Sequence, residues 1–94
     1  MAWDIISDQP TAEVSLRFSS AVAGRVQETR WHPSQVVEVE PGGSLAWRAT
    51  VAGVVEIRSW ILGWGADVEV LEPADLRAEI RSILAAAASR YAAR

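Results

Sequence analysis

His32 is the only histidine of the chain, and cysteine and lysine are absent. A catalytic nucleophile would have a single imidazole as its base, and a metal site would need carboxylates for all its other ligands. Carboxylates occur two residues apart, Glu38 with Glu40 and Asp67 with Glu69. In a strand this spacing places both on the solvent side, whereas paired acid–base catalysis needs one in an apolar pocket. We therefore predict no catalytic residue, no metal site and no cofactor, and interpret His32 as a loop anchor whose ring caps a backbone carbonyl.

Four segments that alternate apolar and polar residues are predicted to be β-strands, at residues 13–18, 35–40, 44–51 and 67–72. Pro41, Gly42 and Gly43 join the second and third strands in a hairpin, because proline presets φ and glycine accepts positive φ. The side chains expected to point inward are Val14, Leu16, Phe18, Val37, Val39, Leu45, Trp47, Ala49, Val51, Val68 and Val70.

Three other segments repeat apolar residues every three or four positions and are predicted to be helices. A short first helix ends near Thr29. The second follows Gly53 and ends at Gly63 or Gly65, one of which we expect in the left-handed conformation. Pro73 opens the last helix, whose apolar face consists of Leu76, Ile80, Ile83, Leu84, Ala87 and Tyr91.

The order strand, helix, strand, strand, helix, strand is the split βαβ pattern of the ferredoxin-like fold. We predict an α+β domain with a four-stranded antiparallel sheet ordered 4-1-3-2. The first two helices should cover one face, and the last helix is an addition at the C-terminus. A chain of 94 residues forms one domain. Because the first alternating segment starts at residue 13, residues 1–12 are interpreted as an entry arm and residues 13–94 as the domain.

Arg17 and Arg48 carry the most informative charges, because both lie on the polar face of predicted strands. The predicted strand order lines them up side by side, between Glu69 and Glu38. One interpretation is cross-strand ion pairs, each contributing about 0–1 kcal/mol. The other is a guanidinium pair that binds a phosphate or carboxylate of a ligand or of another domain.

The overall charge limits the partners. Nine basic and twelve acidic side chains give a net charge of −3, which disfavours binding of duplex DNA by this chain alone. No apolar run reaches the about 18 residues of a membrane-spanning helix, and the first residues lack the features of a secretory signal. We therefore expect a cytoplasmic protein that does not enter a membrane.

Two features point to contacts with other protein surfaces. The last helix has more apolar positions than one domain of this size covers, and small alanines permit close helix approach. We therefore predict a homodimer, with Leu84, Ala87 and Tyr91 as interface candidates. Of the five tryptophans, Trp47, Trp60 and Trp64 fit the core, while Trp3 and Trp31 lie outside the predicted elements and are expected to cover an interface.

Several segments, taken in order, carry a resemblance to a known family. They are Val14–Phe18, Trp31–Gln35, Glu56–Ile57, Trp60–Gly65 and Val68–Pro73, followed by Leu76 and Arg77. Together they resemble the C-terminal extension (WCX) of WYL-domain transcriptional regulators, over most of the chain from Val14 to Tyr91. The hairpin turn Pro41–Ser44 departs from the Asp-Gly-Ser type that is common in that family.

The resemblance implies a bacterial regulator with three parts. These are an N-terminal winged helix-turn-helix that binds promoters, a central SH3-like WYL domain that senses a ligand such as single-stranded DNA, and a ferredoxin-like extension. The basic residues that hold the ligand belong to the WYL domain, so none has a counterpart in this chain.

This chain would then be a non-catalytic regulatory and dimerisation domain. It would contact a second copy and the WYL domain of the same or partner chain, and help relay effector binding to the DNA-binding domains. The alternative is a small-molecule-binding sensory module of ferredoxin-like fold.

Overall fold

The computed structural model describes residues 11–92 of the chain. Their elements follow the predicted order: β1 (Thr11–Phe18), α1 (Ser20–Gln27), β2 (Val36–Val39), β3 (Leu45–Ala52), α2 (Val54–Gly63), β4 (Val68–Glu72) and α3 (Ala74–Ala92), with a short 3₁₀ turn at Gly65–Asp67 before β4. The four strands form one sheet in the order β2-β3-β1-β4, and all neighbours are antiparallel. This confirms the ferredoxin-like α+β fold.

The core lies on one face of the sheet, where the alternating apolar residues of β1 and β3 meet the helices. Val22 and Val26 of α1, and Ile57 and Ile61 of α2, are buried against this face. The buried strand residues of the same core are Val14, Leu16, Phe18, Leu45, Trp47, Ala49, Val51 and Val70. Because successive side chains of a strand point to opposite faces, the second face of the sheet carries the polar residues. No helix among residues 11–92 covers this second face, which is called the open face below.

The prediction that Val37 and Val39 point into the core is wrong in one respect. The register between β2 and β3 places them beside Trp47 and Leu45, on the core face of the sheet. Yet their exposed fractions are 37% and 59%, because β2 is an edge strand and the helices do not extend over it. Alternation therefore identified the correct face but not whether anything covers it.

The hairpin between β2 and β3 has the predicted turn. The Gly43 N–H donates to the Glu40 carbonyl (2.9 Å), and the Glu40 N–H donates to the Ser44 carbonyl (2.8 Å). Gly42 and Gly43 both have positive φ, at 92° and 96°, a conformation that other residues rarely adopt. The left-handed glycine predicted at the end of α2 is Gly65, with φ of 63°.

β1 begins at Thr11, two residues before the start that alternation indicates. The rest of the predicted entry arm, including Trp3, lies outside the described residues.

α3 lies beside β4 and α2. Leu76 and Ile80 near its start are buried in the common core, and Arg58 of α2 forms an ion pair with Glu79. Beyond Ile83 every described residue of α3 is exposed. The second half of the helix therefore has no partner within residues 11–92.

Candidate functional surfaces

The predicted row of Glu69, Arg17, Arg48 and Glu38 across the open face is wrong in its register. Arg17 lies opposite Ala46 and Glu69, whereas Arg48 lies opposite Ser15 and, on its other side, opposite Val36. The two arginines are therefore two positions apart along the strands and belong to different cross-strand rows. Strand order alone could not reveal this, because it leaves the stagger between strands undetermined.

Arg17 forms a two-point ion pair with Glu40, not with Glu69, its neighbour in the predicted row. Its Nε lies 2.9 Å from Glu40 Oε1 and its Nη2 lies 3.3 Å from Oε2. The Ser44 hydroxyl donates a third hydrogen bond to the same carboxylate (2.8 Å). Hydrogen bonds from Arg17 and then Ser44 lower the pKa of Glu40, and the bond to Glu40 raises the pKa of Arg17. Arg17 is thus engaged within its own chain, which favours the ion-pair interpretation for this residue.

Arg48 has no ion pair within residues 11–92. It is exposed and borders a shallow depression of about 450 Å³ on the open face. Side chains of opposite charge and several hydroxyls share the rim: Glu13, Ser15, Ser34, Thr50 and Glu72. The two arginines therefore differ, and Arg48 is the one available to an external group.

His32 is fully buried in the loop between α1 and β2. Its Nδ1 accepts a hydrogen bond from the Ser34 N–H (3.1 Å) and lies 2.9 Å from the Ser34 hydroxyl oxygen. That hydroxyl also donates to the Thr50 carbonyl of β3 and accepts from the Thr50 N–H. The loop-anchor interpretation fits this geometry, and the backbone group that bonds to Nδ1 is the Ser34 N–H.

Gln35 organises the same loop, a role that was not predicted from the sequence. Its Oε1 accepts from the Trp31 N–H (2.7 Å), the His32 N–H (3.2 Å) and Trp47 Nε1 (3.3 Å). One amide side chain therefore ties the loop to the core immediately before β2. The segment Trp31–Gln35 was part of the resemblance to the WCX family. The sequence therefore marked this segment as a motif but did not indicate the hydrogen bonds that Gln35 makes.

An aromatic cluster fills the space between α2, β1 and the loop. Trp60 is its centre, with ring centroids 5.1 Å from Trp47, 5.5 Å from Trp31, 5.8 Å from Phe18 and 6.1 Å from Trp64. Trp31, which we expected to cover an interface, is instead half-buried in this cluster, and its Nε1 donates to the Val26 carbonyl (3.1 Å). These contacts make the cluster part of the domain's own packing.

The three interface candidates on α3 are all exposed. Tyr91 is 79% exposed and Leu84 is 42% exposed, with Ala87 between them. Spacings of three and four residues put them on one side of the helix. The structure therefore brings them together as one continuous face.

Arg77, near the start of α3, occupies the outer side of β4. Its Nη1 donates to the Val70 carbonyl (2.7 Å) and lies 2.9 Å from Glu69 Oε2. The predicted strand order puts Glu69 beside Arg17. The two are opposite each other in the sheet, but Arg77 is the residue that binds the carboxylate.

Neither a metal centre nor a membrane span is present in the part of the chain that the structure describes. No three or more histidine or acidic side chains within residues 11–92 are placed to hold a metal ion. Among the same residues, no helix is both long and apolar enough to span a membrane.

Comparison with known proteins assigns the chain to a family. No curated protein matches the chain. The model of the WCX domain family matches residues 10–88, which include all four strands, α1, α2 and most of α3. With this match over most of its length, and with the fold described above, the chain belongs to the WCX domain family and is a regulator-associated domain.

Proposed function

We propose that this chain is the non-catalytic regulatory and dimerisation domain of a bacterial WYL-family transcriptional regulator. It helps relay effector binding to DNA-binding domains that lie outside this sequence. The observation that carries the proposal is the family match over residues 10–88. The partners are a second copy and the WYL domain of the same or partner chain, and the domain works in the cytoplasm without contacting duplex DNA itself.

The chemistry of the described residues supports a non-catalytic role. His32 is enclosed in a loop and bonded to Ser34. Glu40 is held by Arg17, and its pKa is lowered, whereas a carboxyl group that acts as a general acid near neutral pH needs a raised pKa. Neither group has the environment of an acid–base catalyst.

The surfaces support a role in contacts between domains. Leu84, Ala87 and Tyr91 form an exposed apolar face on α3. Exposed apolar faces of this kind mark sites of protein association. We propose that neighbouring parts of the complete regulator cover this face.

Substitution on α3 tests this function in the full-length regulator. We expect the double change Leu84→Asp and Tyr91→Asp to abolish the effector-dependent change in promoter affinity. The two charges would lie in the proposed apolar contact of α3, from which water is excluded. The control is Ser82→Asp, which adds one negative charge about 200° around the helix from Leu84 and should leave the response intact. Promoter binding is measured by electrophoretic gel shift with and without effector. An unchanged response in the double variant would reject the role of α3.

The depression beside Arg48 supports the second candidate, a small-molecule sensory module. Its volume of about 450 Å³ is within the range of ligand sites, about 300–1,000 Å³, although such sites are usually more enclosed. In that case Arg48→Gln should weaken effector affinity in the full-length protein and lower its dependence on salt, whereas Arg17→Gln, at a residue paired with Glu40, should not. Under the leading proposal, affinity and salt dependence should match the wild type.

A further inference from the structure

The outer edge of β2 offers a row of backbone groups for pairing. The Glu40 N–H donates to Ser44 of the neighbouring strand, and backbone direction alternates along an antiparallel ladder. Residues 36, 38 and 40 therefore direct their N–H and C=O groups toward β3. Those of Val37 and Val39 point away from the sheet, where no described residue bonds to them.

The opposite edge of the sheet is closed. Arg77 donates to the Val70 carbonyl of β4 (2.7 Å), and α3 runs alongside that strand. Proteins commonly cover or charge an edge strand to prevent pairing with another chain. Within residues 11–92 a helix covers the edge at β4, whereas no helix and no side chain bonds to the outer edge of β2.

The side chains of β2 add an apolar strip to the open edge. Val36, Val37 and Val39 are all exposed. Val37 and Val39 lie on the core face, directly beside Trp47 and Leu45. A strand added at this edge would thus extend the core face and cover the valines while its backbone satisfies the unpaired groups.

We propose that a second copy of this chain supplies that strand, so that two β2 strands pair antiparallel about a two-fold axis through Val37. The two sheets then become one sheet of eight strands with all helices on the same face. This inference rests on the dimerisation proposed above and assigns it a surface.

Charge selects the register. The backbone pattern permits symmetric pairings at several centres, and two of them, centred on Val37 and on Glu38, each pair three residues of β2 with three of the second copy. Centring on Glu38 would place the two Glu38 carboxylates directly opposite each other, which is unfavourable. Centring on Val37 places Glu38 opposite Val36 of the second copy, and a Val37 pair forms the centre.

The Val37-centred register also supplies a partner for Arg48. Arg48 lies opposite Val36 within its own sheet, so the row continues from Arg48 through Val36 to Glu38 of the second copy. Two strand spacings separate the outer members by about 10 Å between Cα atoms, a span that an arginine and a glutamate side chain bridge together. Neither Arg48 nor Glu38 has an ion pair within residues 11–92. The symmetry provides this contact twice.

A closed dimer needs only one self-complementary surface. With the copies joined at β2, α3 lies at the far edge of each sheet. Its exposed face is then left for the WYL domain.

Charge reversal in the 94-residue chain tests the register. Glu38→Arg and Arg48→Glu should each weaken the dimer about tenfold at low salt, because each replaces two attractive contacts with two repulsive ones. The double reversal should restore affinity to near the wild-type value. The control Glu28→Arg, at an exposed site after α1, changes the net charge as Glu38→Arg does and should leave affinity unchanged. Analytical ultracentrifugation gives the dissociation constants. A monomeric wild type, or single reversals without effect, would overturn the proposal.

Proline at the central position tests the backbone pairing. The Val37 N–H points away from β3, so Val37→Pro removes no ladder bond within the chain and does remove two bonds across the two-fold axis. We expect a folded monomer, with folding checked by circular dichroism. A folded Val37→Pro variant that still dimerises with wild-type affinity would refute β2 pairing.

The Leu84→Asp, Tyr91→Asp variant separates this inference from the proposed function. It should dimerise as the wild-type 94-residue chain does, since α3 is remote from β2. If it is monomeric while Glu38→Arg remains dimeric, the copies meet at α3, and β2 pairing is wrong although dimerisation stands.

Discussion

Replacing Trp60 with alanine should destabilise the domain strongly, because this ring is the centre of the aromatic cluster. It contacts Phe18, Trp31, Trp47 and Trp64, with centroid separations of 5.1–6.1 Å. Trp60 is also the cluster's main contribution from α2. Its removal leaves four large side chains without their common neighbour.

The size of the effect follows from burial and ring contacts. Truncation of a buried tryptophan or phenylalanine typically costs about 3–5 kcal/mol, and Trp60 is half-buried, which places it at the lower end. Aromatic contacts contribute about 0.5–1.5 kcal/mol per pair beyond burial. Their loss keeps the expected destabilisation from falling below the range for buried rings. We expect a loss of about 3 kcal/mol from a total of about 5–14 kcal/mol for 94 residues.

Thermal and urea denaturation, followed by far-ultraviolet circular dichroism, measure this loss. A decrease of about 3 kcal/mol corresponds to a fall in Tm of about 12–24 °C for a domain of this size. Val55→Ala is the control, because Val55 is an exposed apolar residue of the same helix and should change stability by less than about 0.5 kcal/mol. If Trp60→Ala unfolds at the same temperature as Val55→Ala, the cluster does not stabilise the fold as its geometry indicates.

Three further predictions concern stability, and a fourth concerns metal. Gly43→Ala should cost about 1–3 kcal/mol, because φ is +96° and the new Cβ would lie 3.3 Å from Ser20 Cβ. Gly24→Ala, at an open helical site, should instead stabilise the chain by about 0.5–1 kcal/mol in the same denaturation assay. Arg17→Gln should reduce stability slightly at neutral pH and not in acid: the lowered pKa of Glu40 gives stability that is present above its ordinary value of 4.5 and lost as pH falls through the lowered value. A difference from wild type that persists in strong acid would contradict this account. A chelator should leave the unfolding curve unchanged, and loss of the transition would reveal a structural metal.

Local pattern along the chain determines much of the fold. Val14, Leu16 and Phe18 alternate with polar residues and are all buried, and the change to a three-to-four spacing at Ile57 and Ile61 marks α2. Such patterns are informative because one buried face imposes its own period on each element. The order of elements then restricts the topology to few possibilities.

Features that depend on position within the assembled sheet could not be predicted from the pattern along the chain. Val37 has the alternation of a core residue, but β2 is at an edge and none of the three described helices covers it. The partner of Arg17 is Glu40, which lies after the end of β2 and reaches back because the hairpin turn begins there. Arg48 is displaced from Arg17 by strand stagger. Each of these outcomes depends on geometry between elements, which residue type and spacing along the chain leave open.

The tryptophan cluster beside the His32 loop can report optically on the state of the domain. Trp31, Trp47, Trp60 and Trp64 form one group, with neighbouring ring centroids 5.1–6.1 Å apart. Excitation absorbed by one indole is shared among neighbours this close, so emission responds to the group as a unit. Gln35, which directly precedes β2, accepts hydrogen bonds from both Trp31 and Trp47. A movement of β2 therefore changes the surroundings of two of the emitting side chains. Contacts formed by the domain inside a complete regulator therefore become observable in real time from its own tryptophan emission, without an attached dye.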